Sequence, residues 1–365
     1  MISEHNTVVF RDRRVIVCGA FPPPVNGLAN VNLAVLKLLL ALGAHVDQVD
    51  ISAKGGAIVK LGRRFAALAR TLRLIVRPGP ERLLYYALSS GLGQYFDLLA
   101  IAVARFAGVR VVIHHHNFSY LSASTPVSRC LFALASRGYA VHICLCETMA
   151  GLLLKTYGAG HEVVIIGNAA FIEPDIQAMS GVKPALPDKI KVGYLSALTR
   201  DKGIYDFLDI VETFAAEKAV SVEFHVAGNA AEAAVQTRLE SLAARGIVSF
   251  RGAVYDESKR DYLRELDILI FPSRYRHEAQ PLVVFEALAA GVSVISHPIA
   301  CMCDLASSTG VSLAAEGQIM PALRDALQLL PAQRETLTSD ILSSYRQLHD
   351  RQRDDLRSTF LALFL

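Results

Sequence analysis

Short runs of β-branched and aliphatic residues alternate with longer stretches of helical periodicity along most of the chain. The first run, RVIVCGA (14–20), ends in a glycine, and the apolar residues of the following stretch, 28–43, recur at helical spacing. Short apolar runs bounded by turn signals are typical of buried parallel strands. Their alternation with helices predicts an α/β fold built on doubly wound parallel sheets.

The alternation occurs in two series that are separated by a break. The strands predicted for the first series are 14–20, 45–51, 82–88, 110–117, 142–146 and 162–168. Those predicted for the second series are 190–195, 222–228, 247–252, 268–273 and 292–297. Residues 173–189, EPDIQAMSGVKPALPDK, contain three prolines and have no periodicity, which is typical of a linker.

The pattern therefore predicts two tandem Rossmann-like domains. We expect an N-terminal domain over 1–175, a linker over 176–189 and a C-terminal domain over 190–340. A helical tail over 341–365 is expected to pack back toward the N-terminal domain. Ligands of doubly wound sheets bind at the carboxyl ends of the strands, so we expect the site in a cleft between the domains.

Composition adds an uneven distribution of charge. The 365 residues carry a formal net charge of +3, but residues 1–180 hold 17 Lys/Arg against 10 Asp/Glu, whereas 181–365 hold 20 against 24. A basic half of this kind favours contact with an anionic partner. The six cysteines form no C-x-x-C pair, which argues against a structural zinc site. Because no signal peptide or convincing bilayer-spanning run is present, we expect a cytoplasmic location.

Much of the positive charge lies in residues 54–82, which contain eight Lys/Arg and one acid. Arg63, Arg70, Arg73 and Arg77 recur at near-helical spacing between apolar residues, which predicts a basic amphipathic helix. Such a helix is either the charged outer face of an ordinary domain or a peripheral contact with the anionic inner face of the plasma membrane. Nucleic-acid binding is not expected, since no aromatic interleaving or known module accompanies the charge.

Two polar clusters in the C-terminal half are candidates for chemistry. Arg200 and Lys202 follow a predicted strand at a helix start, where cations and backbone N–H groups suit a diphosphate. Glu278 and Glu286 flank seven residues of the stretch FPSRYRHEAQPLVVFEALAAG (271–291). Each cluster also fits a solvated helix start, and spacing alone does not separate these alternatives.

Three segments together resemble a known family. They are YLSALTRDKGIYDFL (194–208), VSFRGAVYDESKRDYLRELDILIFPS (248–273) and PSRYRHEAQPLVVFEALAAGVSVISH (272–297). In this order they resemble the signature blocks of the retaining GT-B glycosyltransferases of family 4, including its E-x7-E motif. The resemblance covers most of 190–300 and implies the two-domain GT-B fold and a nucleotide diphosphate sugar as donor.

The resemblance also implies roles for single residues. Glu286 would bind the ribose of the donor, and Glu278 would contact hydroxyl groups of the transferred sugar and stabilise positive charge at its anomeric carbon. Lys202, together with Arg200, would neutralise the leaving diphosphate. Gly27 would let the backbone approach the same phosphates. Backbone groups along the sugar and the phosphates would come from Ala279, Gln280, Pro281 and Leu282.

A histidine of the N-terminal half completes the implied site. The stretch VVIHHHNFSYL (111–121) lies where the family has a strand that ends in a histidine facing the donor sugar. The strand period of two places His114 and His116 on one face and His115 on the other. We assign the role to His116, although a histidine triplet also fits a solvated strand end.

The chain departs from the family pattern at two places. Ala197 stands where the family usually has an arginine, and Ala279 and Pro281 replace glycines that follow the first glutamate. The chain contains no D-x-D sequence, so we expect no metal and no other cofactor beyond a UDP-sugar or GDP-sugar donor. No residue stands out as a covalent nucleophile, which implies front-face attack within an ion pair.

The sequence therefore predicts a retaining, metal-independent glycosyltransferase. It would move a sugar to a saccharide or lipid-linked acceptor in the synthesis of a bacterial surface polysaccharide. The departure at Ala197 leaves open a non-catalytic subunit that binds a nucleotide sugar for another transferase. Another GT-B enzyme, such as a sugar-nucleotide epimerase, also remains open. A hydride-transferring dinucleotide enzyme is disfavoured, because GAFPPPVNG (19–27) is not G-x-G-x-x-G.

Overall fold

A computed structural model divides the chain into two units. One unit holds the chain through Phe171 together with the final segment from Gln352, and the other holds Ile172–Arg351. The structure describes residues 13–23, 26–52, 56–79, 81–136, 138–180, 189–217, 222–230, 232–275, 277–305 and 307–364. Parts of the predicted linker (181–188), of the loop around Gly27 (24–25) and of the basic segment (54, 55 and 80) lie outside the described residues.

The first unit is built on a parallel six-stranded sheet in the order β2-β1-β3-β4-β5-β6. Its strands are β1 (Arg14–Gly19), β2 (His45–Asp50), β3 (Arg82–Ala87), β4 (Arg110–His114), β5 (Ala140–Cys144) and β6 (Glu162–Ile165). Its helices are α1 (Gly27–Ala41), α2 (Ala57–Val76), α3 (Gly93–Phe106), α4 (Ser119–Ser122), α5 (Pro126–Leu134) and α6 (Glu147–Tyr157). All six predicted strands are present, and β4 ends three residues before the predicted boundary.

The second unit has a parallel sheet in the order β12-β11-β10-β7-β8-β9. Its strands are β7 (Ile190–Leu195), β8 (Val222–Ala227), β9 (Val248–Phe250), β10 (Ile268–Phe271), β11 (Ser293–Ser296) and β12 (Val311–Leu313). The helices that begin in this unit are α7 (Ile176–Ser180), α8 (Ile204–Ala216), α9 (Ala233–Ala244), α10 (Asp256–Glu265), α11 (Leu282–Ala289) and α12 (Ile319–Phe364). Two parallel sheets flanked by helices confirm the predicted fold class.

Two elements were missed by the sequence pattern. α7 lies in the segment interpreted as a structureless linker, and β12 was not predicted. β12 has only three residues, and none of them is buried, so its sequence has no buried apolar run to recognise. The start of α7 is stabilised by Asp175, whose carboxylate accepts hydrogen bonds from the N–H groups of Gln177 and Ala178.

The final segment of α12 contributes to the core of the first unit. Leu356, Phe360 and Leu363 are buried in the same apolar cluster as residues of β1, β3 and β4. Earlier in the same helix, the Arg334 guanidinium lies 2.6 Å from a carboxylate oxygen of the buried Asp267, which also accepts the Lys191 N–H at 2.9 Å. The helix is therefore tied to the start of β7 and β10 by a buried charge pair.

The strand order places a crevice at one point of the second sheet. From β7 the chain proceeds through β8 to β9 on one side, and β10 then returns to the other side of β7. The connections that leave the carboxyl ends of β7 and β10 therefore diverge, and doubly wound sheets bind ligands at such a point. Residues 196–203 and 272–281 form these two connections, and they contain six of the predicted site residues.

The two connections approach so closely at one position that only glycine fits. Gly203 has a φ of 79°, and a Cβ atom there would lie 2.1 Å from the carbonyl oxygen of Pro272. Nearby, the N–H of Arg274 donates to the carbonyl of Asp201 at 2.8 Å. The loop that carries Lys202 is thus fixed against the loop that carries Glu278 by backbone contact.

We predict that Gly203→Ala destabilises the protein by at least about 2 kcal/mol, because the left-handed backbone and the clash with Pro272 both oppose a side chain. Thermal unfolding measures this effect. Gly62→Ala is the matched control: Gly62 lies within the exposed helix α2 with nothing within 4 Å of the added Cβ, so it should stabilise slightly. Equal unfolding temperatures for Gly203→Ala and the wild type would refute the close approach.

Three histidines form a hydrogen-bonded chain inside the first unit. His115 Nε2 lies 3.0 Å from His142 Nδ1, and His142 Nε2 lies 3.1 Å from His161 Nδ1. The other nitrogen of His115 contacts the Tyr120 hydroxyl at 3.0 Å. Each ring must donate with one nitrogen and accept with the other, so the chain is satisfied when all three rings are neutral. Burial lowers the pKa of His142 to about 3.

We predict that stability falls as the pH is lowered below about 6.5. The unfolded His142 binds a proton near its ordinary pKa, while the folded residue stays neutral down to about 3, so the unfolded state binds more protons in this interval. The loss should reach about 2 kcal/mol for His142 at pH 5. Denaturant unfolding between pH 5 and 8 measures it.

The matched pair is His142→Asn and His45→Asn, since His45 is exposed at the start of β2. Only the first substitution should flatten the pH dependence of the free energy of unfolding. An unchanged slope in His142→Asn would contradict the neutral, buried assignment.

Candidate functional site

The two loops at the crevice of the second sheet bring Lys202 and Glu278 together. Lys202 ends a short 3-10 segment after β7, and Glu278 lies in the connection from β10 to α11. The Lys202 ammonium pairs with Oε2 of Glu278, which also lies 3.5 Å from the Ser273 hydroxyl. Both side chains remain partly exposed, so their charges can reach a ligand.

An aromatic ring and two hydrogen bonds fix the position of Lys202. Its ammonium lies 4.9 Å from the centroid of the Tyr275 ring, within the range of a cation–π contact. Its carbonyl accepts a hydrogen bond from the buried Tyr194 hydroxyl at 3.0 Å, and its N–H donates to Thr199. The lysine is therefore held by its own backbone as well as by Glu278.

The start of α11 presents backbone donors beside this pair. Pro281 precedes the helix, no acidic residue lies in its first turn, and no side chain caps it. Within the part of the chain that is described, the N–H of Leu282 donates to no acceptor. The carbonyl of Ala279 accepts the Cys301 N–H at 3.2 Å, so it faces the protein. Uncapped N–H groups at a helix start attract anions.

Of the four loop residues predicted to run along the sugar and phosphates, Ala279 and Gln280 are both largely buried. Pro281 accepts the Val284 N–H at 3.2 Å, which closes the first turn of α11. These contacts define the backbone path of the loop. Contact of the loop with the sugar and phosphates of a donor stays a prediction.

Glu286 lies farther along α11 and has a partner that the sequence analysis did not name. Its Oε1 pairs with the ammonium of Lys259, which comes from α10. The surrounding positions of α11 are buried and apolar, among them Phe285 and Leu288. A carboxylate in such surroundings requires a partner, and the lysine supplies one.

Arg200 lies apart from the Lys202–Glu278 pair. Its guanidinium stacks over the ring of Tyr205 at 4.4 Å from the centroid, and the Tyr205 hydroxyl donates to Glu232 at 2.8 Å. No contact joins Arg200 to Glu278 among the residues that the structure describes. Its proposed part in neutralising a diphosphate therefore requires a different side-chain orientation and stays a prediction.

The first unit carries Gly27 and His116 at the carboxyl edge of its own sheet. Gly27 begins α1, where the side chain of Asn26 accepts the Ala29 N–H at 2.9 Å. His116 follows β4, and its ring centroid lies 3.9 Å from that of His114. His115 points to the opposite face, toward His142, which confirms the predicted alternation of the triplet.

A buried polar network supports His116. The Tyr85 hydroxyl lies 2.6 Å from His114 Nδ1 and 3.4 Å from the side-chain oxygen of Asn32, and the side-chain nitrogen of Asn32 donates to the Ala20 carbonyl. The Nε2 atoms of His114 and His116 are buried and have no hydrogen-bond partner within the described part of the chain. Burial lowers the pKa of His116 to about 3, so its imidazole is neutral near pH 7.

Several of these partners could not be identified from motif spacing. Lys259, Tyr205 and Tyr275 match no signature position, and their roles depend on which helices and loops are neighbours in the sheet. Asn32 gave one signal: it is a polar residue on the buried face of α1, a position that usually needs a hydrogen-bond partner.

Residues 189–331 match the family described as glycosyl transferases group 1. No curated protein sequence matches the chain. Among solved structures, Anabaena Alr3699/HepE in complex with UDP superimposes with a TM-score of 0.69 at 15% identity, covering 96% of this chain and 100% of that one.

Two further structures have the same fold. WaaG, a glycosyltransferase involved in lipopolysaccharide biosynthesis, has a TM-score of 0.64 at 15% identity and covers 96% of this chain and 99% of its own. An α,α-trehalose-phosphate synthase (UDP-forming) from Burkholderia vietnamiensis has a TM-score of 0.65 at 16% identity, covering 97% and 99%. Residues 189–331 therefore resemble the group 1 glycosyltransferases, and the solved structures show that the chain as a whole has the GT-B fold.

Proposed function

We propose that the protein is a retaining, metal-independent glycosyltransferase that moves a sugar from a nucleotide diphosphate sugar to a saccharide or lipid-linked acceptor. The observation that carries this proposal is the Lys202–Glu278 pair at the crevice of the second sheet, beside the uncapped start of α11. It joins a cation, a carboxylate and free backbone donors at one place. The alternative of a non-catalytic donor-binding subunit would use the same groups for binding alone.

Charge development in the reaction matches these groups. When the bond between the anomeric carbon and the diphosphate oxygen breaks, its electron pair stays on the diphosphate and the sugar gains oxocarbenium character. Lys202 and the N–H groups of α11 stabilise the first charge, and Glu278 stabilises the second. The acceptor hydroxyl then bonds to the anomeric carbon from the same face and passes its proton to the departing diphosphate.

The His116 imidazole, which is neutral near pH 7, suits hydrogen bonding to a sugar hydroxyl rather than neutralising charge. A donor of this class is supported by the relatives: one similar structure contains UDP and another contains UDP-glucose. The proposed role in bacterial surface polysaccharide synthesis draws on WaaG, which is described as acting in lipopolysaccharide biosynthesis.

We predict that Glu278→Gln lowers the rate of sugar transfer by at least about 100-fold, because the neutral amide cannot stabilise developing positive charge. Release of UDP or GDP from a panel of nucleotide sugars measures both hydrolysis and transfer. Glu240→Gln is the control, since Glu240 is exposed in α9 and accepts a hydrogen bond from Gln236 one turn away. Wild-type protein that binds a nucleotide sugar but neither hydrolyses nor transfers it would favour the donor-binding subunit instead.

A lipid-linked acceptor is supported by a surface formed by α2 and α3. The residues described include 14 exposed large apolar side chains, and nine of them lie between positions 58 and 106. They are Ile58, Val59, Leu61, Phe65, Val76, Leu92, Tyr95, Leu99 and Phe106. The two helices are joined by an edge contact of Phe65 with Phe96, whose ring centroids are 5.2 Å apart. We call this region the α2–α3 surface.

Exposed cations accompany these apolar groups along α2, at Lys60, Arg63, Arg70 and Arg73. Only Ala67, Thr71 and Ile75 of this helix are buried. Apolar side chains interspersed with cations match the headgroup region of an anionic bilayer. No helix in the described part of the chain has the length and apolar character that a bilayer crossing requires. We therefore propose peripheral binding at the inner face of the plasma membrane.

We predict that the combined change Arg63→Gln, Arg70→Gln and Arg73→Gln weakens binding to phosphatidylglycerol vesicles by roughly 100-fold at low salt, at about 1 kcal/mol for each cation. Vesicle sedimentation measures it. The matched control removes three exposed arginines of the second unit, Arg245, Arg260 and Arg346. Binding that is equal for both triple variants, or equal on phosphatidylcholine, would refute the α2–α3 surface as the contact.

A further inference from the structure

Lys259 occupies an inward position on a helix that is otherwise strongly polar. Residues 256–258 and 260–261 of α10 are exposed, whereas Lys259 is partly buried. Tyr262, Leu263 and Leu266, which follow it at helical spacings of three, four and seven, are buried. Lys259 therefore belongs to the face by which α10 packs against its unit, a position at which an apolar residue is expected. A lysine on this face needs a partner for its charge.

Three contacts hold α10 in place around this lysine. The Ser258 hydroxyl and the Tyr255 backbone form a reciprocal pair of hydrogen bonds at the start of the helix. The buried Tyr262 hydroxyl donates to the Tyr194 carbonyl of β7 at 3.0 Å. Arg264 pairs with Asp175 at 2.7 Å. The backbone of α10 is therefore held in place, and the Lys259 side chain extends from it toward α11.

The ammonium of Lys259 reaches Oε1 of Glu286, and the two side chains are 24% and 17% exposed. The other nearby polar group, the Tyr345 phenol, donates instead to the carbonyl of Ile172 at 2.7 Å. Its pKa is raised well above the ordinary value, by burial first and then by the charges of Glu286 and Glu173. Among the described residues, Lys259 is the group that binds the Glu286 carboxylate.

A carboxylate has two oxygens and about four acceptor positions, so one lysine does not saturate it. With Oε1 held by Lys259, Oε2 remains able to accept hydrogen bonds from a pair of adjacent hydroxyl groups. The same ion pair restricts the rotamer of Glu286. A carboxylate that is held in this way can bind a diol without reorganisation.

We infer that Lys259 is a positioning residue that orients Glu286 to bind the ribose diol of the donor nucleotide. The inference rests on the proposed function, because it assigns the ribose to Glu286. It adds a determinant at a position that carries no signature residue: discrimination between ribose and 2′-deoxyribose depends on a lysine of α10. Lys259 acts through Glu286 and touches no reacting atom.

The test compares binding of UDP with 2′-deoxy-UDP, and of GDP with 2′-deoxy-GDP, by calorimetry. In the wild type, loss of the 2′-hydroxyl should weaken binding by about tenfold, as expected for a hydrogen bond to a charged group. In Lys259→Gln this ratio should fall to about two or less. Lys259→Arg should restore most of it, because a guanidinium also pairs with a carboxylate.

Arg260→Gln is the matched control. It removes the same charge one residue along α10, from a side chain that points to solvent and pairs with the exposed Glu257. It should leave the ratio of the two affinities unchanged. In a transfer assay, Lys259→Gln should raise KM for the donor while kcat changes by less than about twofold. The reason is that the ribose is bound equally strongly in the ground state and in the transition state.

Two results would overturn the inference. One is a ratio of affinities in Lys259→Gln equal to that of the wild type. The other is a loss of affinity that is the same for ribose and deoxyribose ligands, which would make Lys259 a direct contact to phosphate or base. Failure of the proposed function is distinguishable, since it would appear in the wild type itself, as no hydrolysis and no transfer of any nucleotide sugar, and not as a changed ratio of affinities in Lys259→Gln. Unfolding temperatures of all variants separate these results from loss of folding.

Discussion

The close backbone approach of the loops that follow β7 and β10 is the constraint on which the candidate site depends. Gly203 has no Cβ atom, and the carbonyl of Pro272 occupies the space that a Cβ would fill. This contact sets the separation of the loops, and the separation lets Lys202 reach Glu278 across 76 positions of sequence. Without it the cation and the carboxylate would belong to unrelated surface loops. The strand order makes the approach possible, because β7 and β10 are neighbours at the point where the chain reverses direction across the sheet.

The two glutamates of the E-x7-E motif have similar surroundings in the second unit. Each carboxylate lies in a partly buried position, and each is paired with a lysine from a neighbouring loop or helix: Glu278 with Lys202 and Glu286 with Lys259. Pairing lowers the cost of keeping a charge in a low-dielectric environment. It also leaves acceptor positions on each carboxylate for hydroxyl groups. The arrangement therefore suits a ligand that has several hydroxyl groups. A carboxylate group on a ligand would find few free donors among these side chains.

The fold and the types of residue in the site were predicted from the sequence more completely than the contacts that these residues make. Buried parallel strands are short apolar runs, so eleven of the twelve strands were predicted, while the three-residue edge strand β12 was not. The alternation at His114–His116 follows from strand geometry alone and is confirmed. The partners of Arg200 and Glu286 could not be predicted, because Tyr205 and Lys259 come from positions whose contacts depend on helix packing. Motif spacing identifies which residues matter within a loop, and tertiary contacts decide what each residue touches.

Ala197 stands where the family usually has an arginine, so other groups of the site must hold a diphosphate. Two lysines and two glutamates leave the paired groups without net charge, and the Arg200 guanidinium is stacked on Tyr205. A diphosphate therefore meets little excess positive charge from side chains. What remains is the start of α11, where no acidic residue and no side-chain cap opposes the positive end of the helix. In the proposed reaction the diphosphate would draw Lys202 from Glu278, since an anion with two charges competes well against one carboxylate. The freed carboxylate would then face the sugar at the moment when positive charge develops there, so that donor binding itself prepares Glu278 for its role.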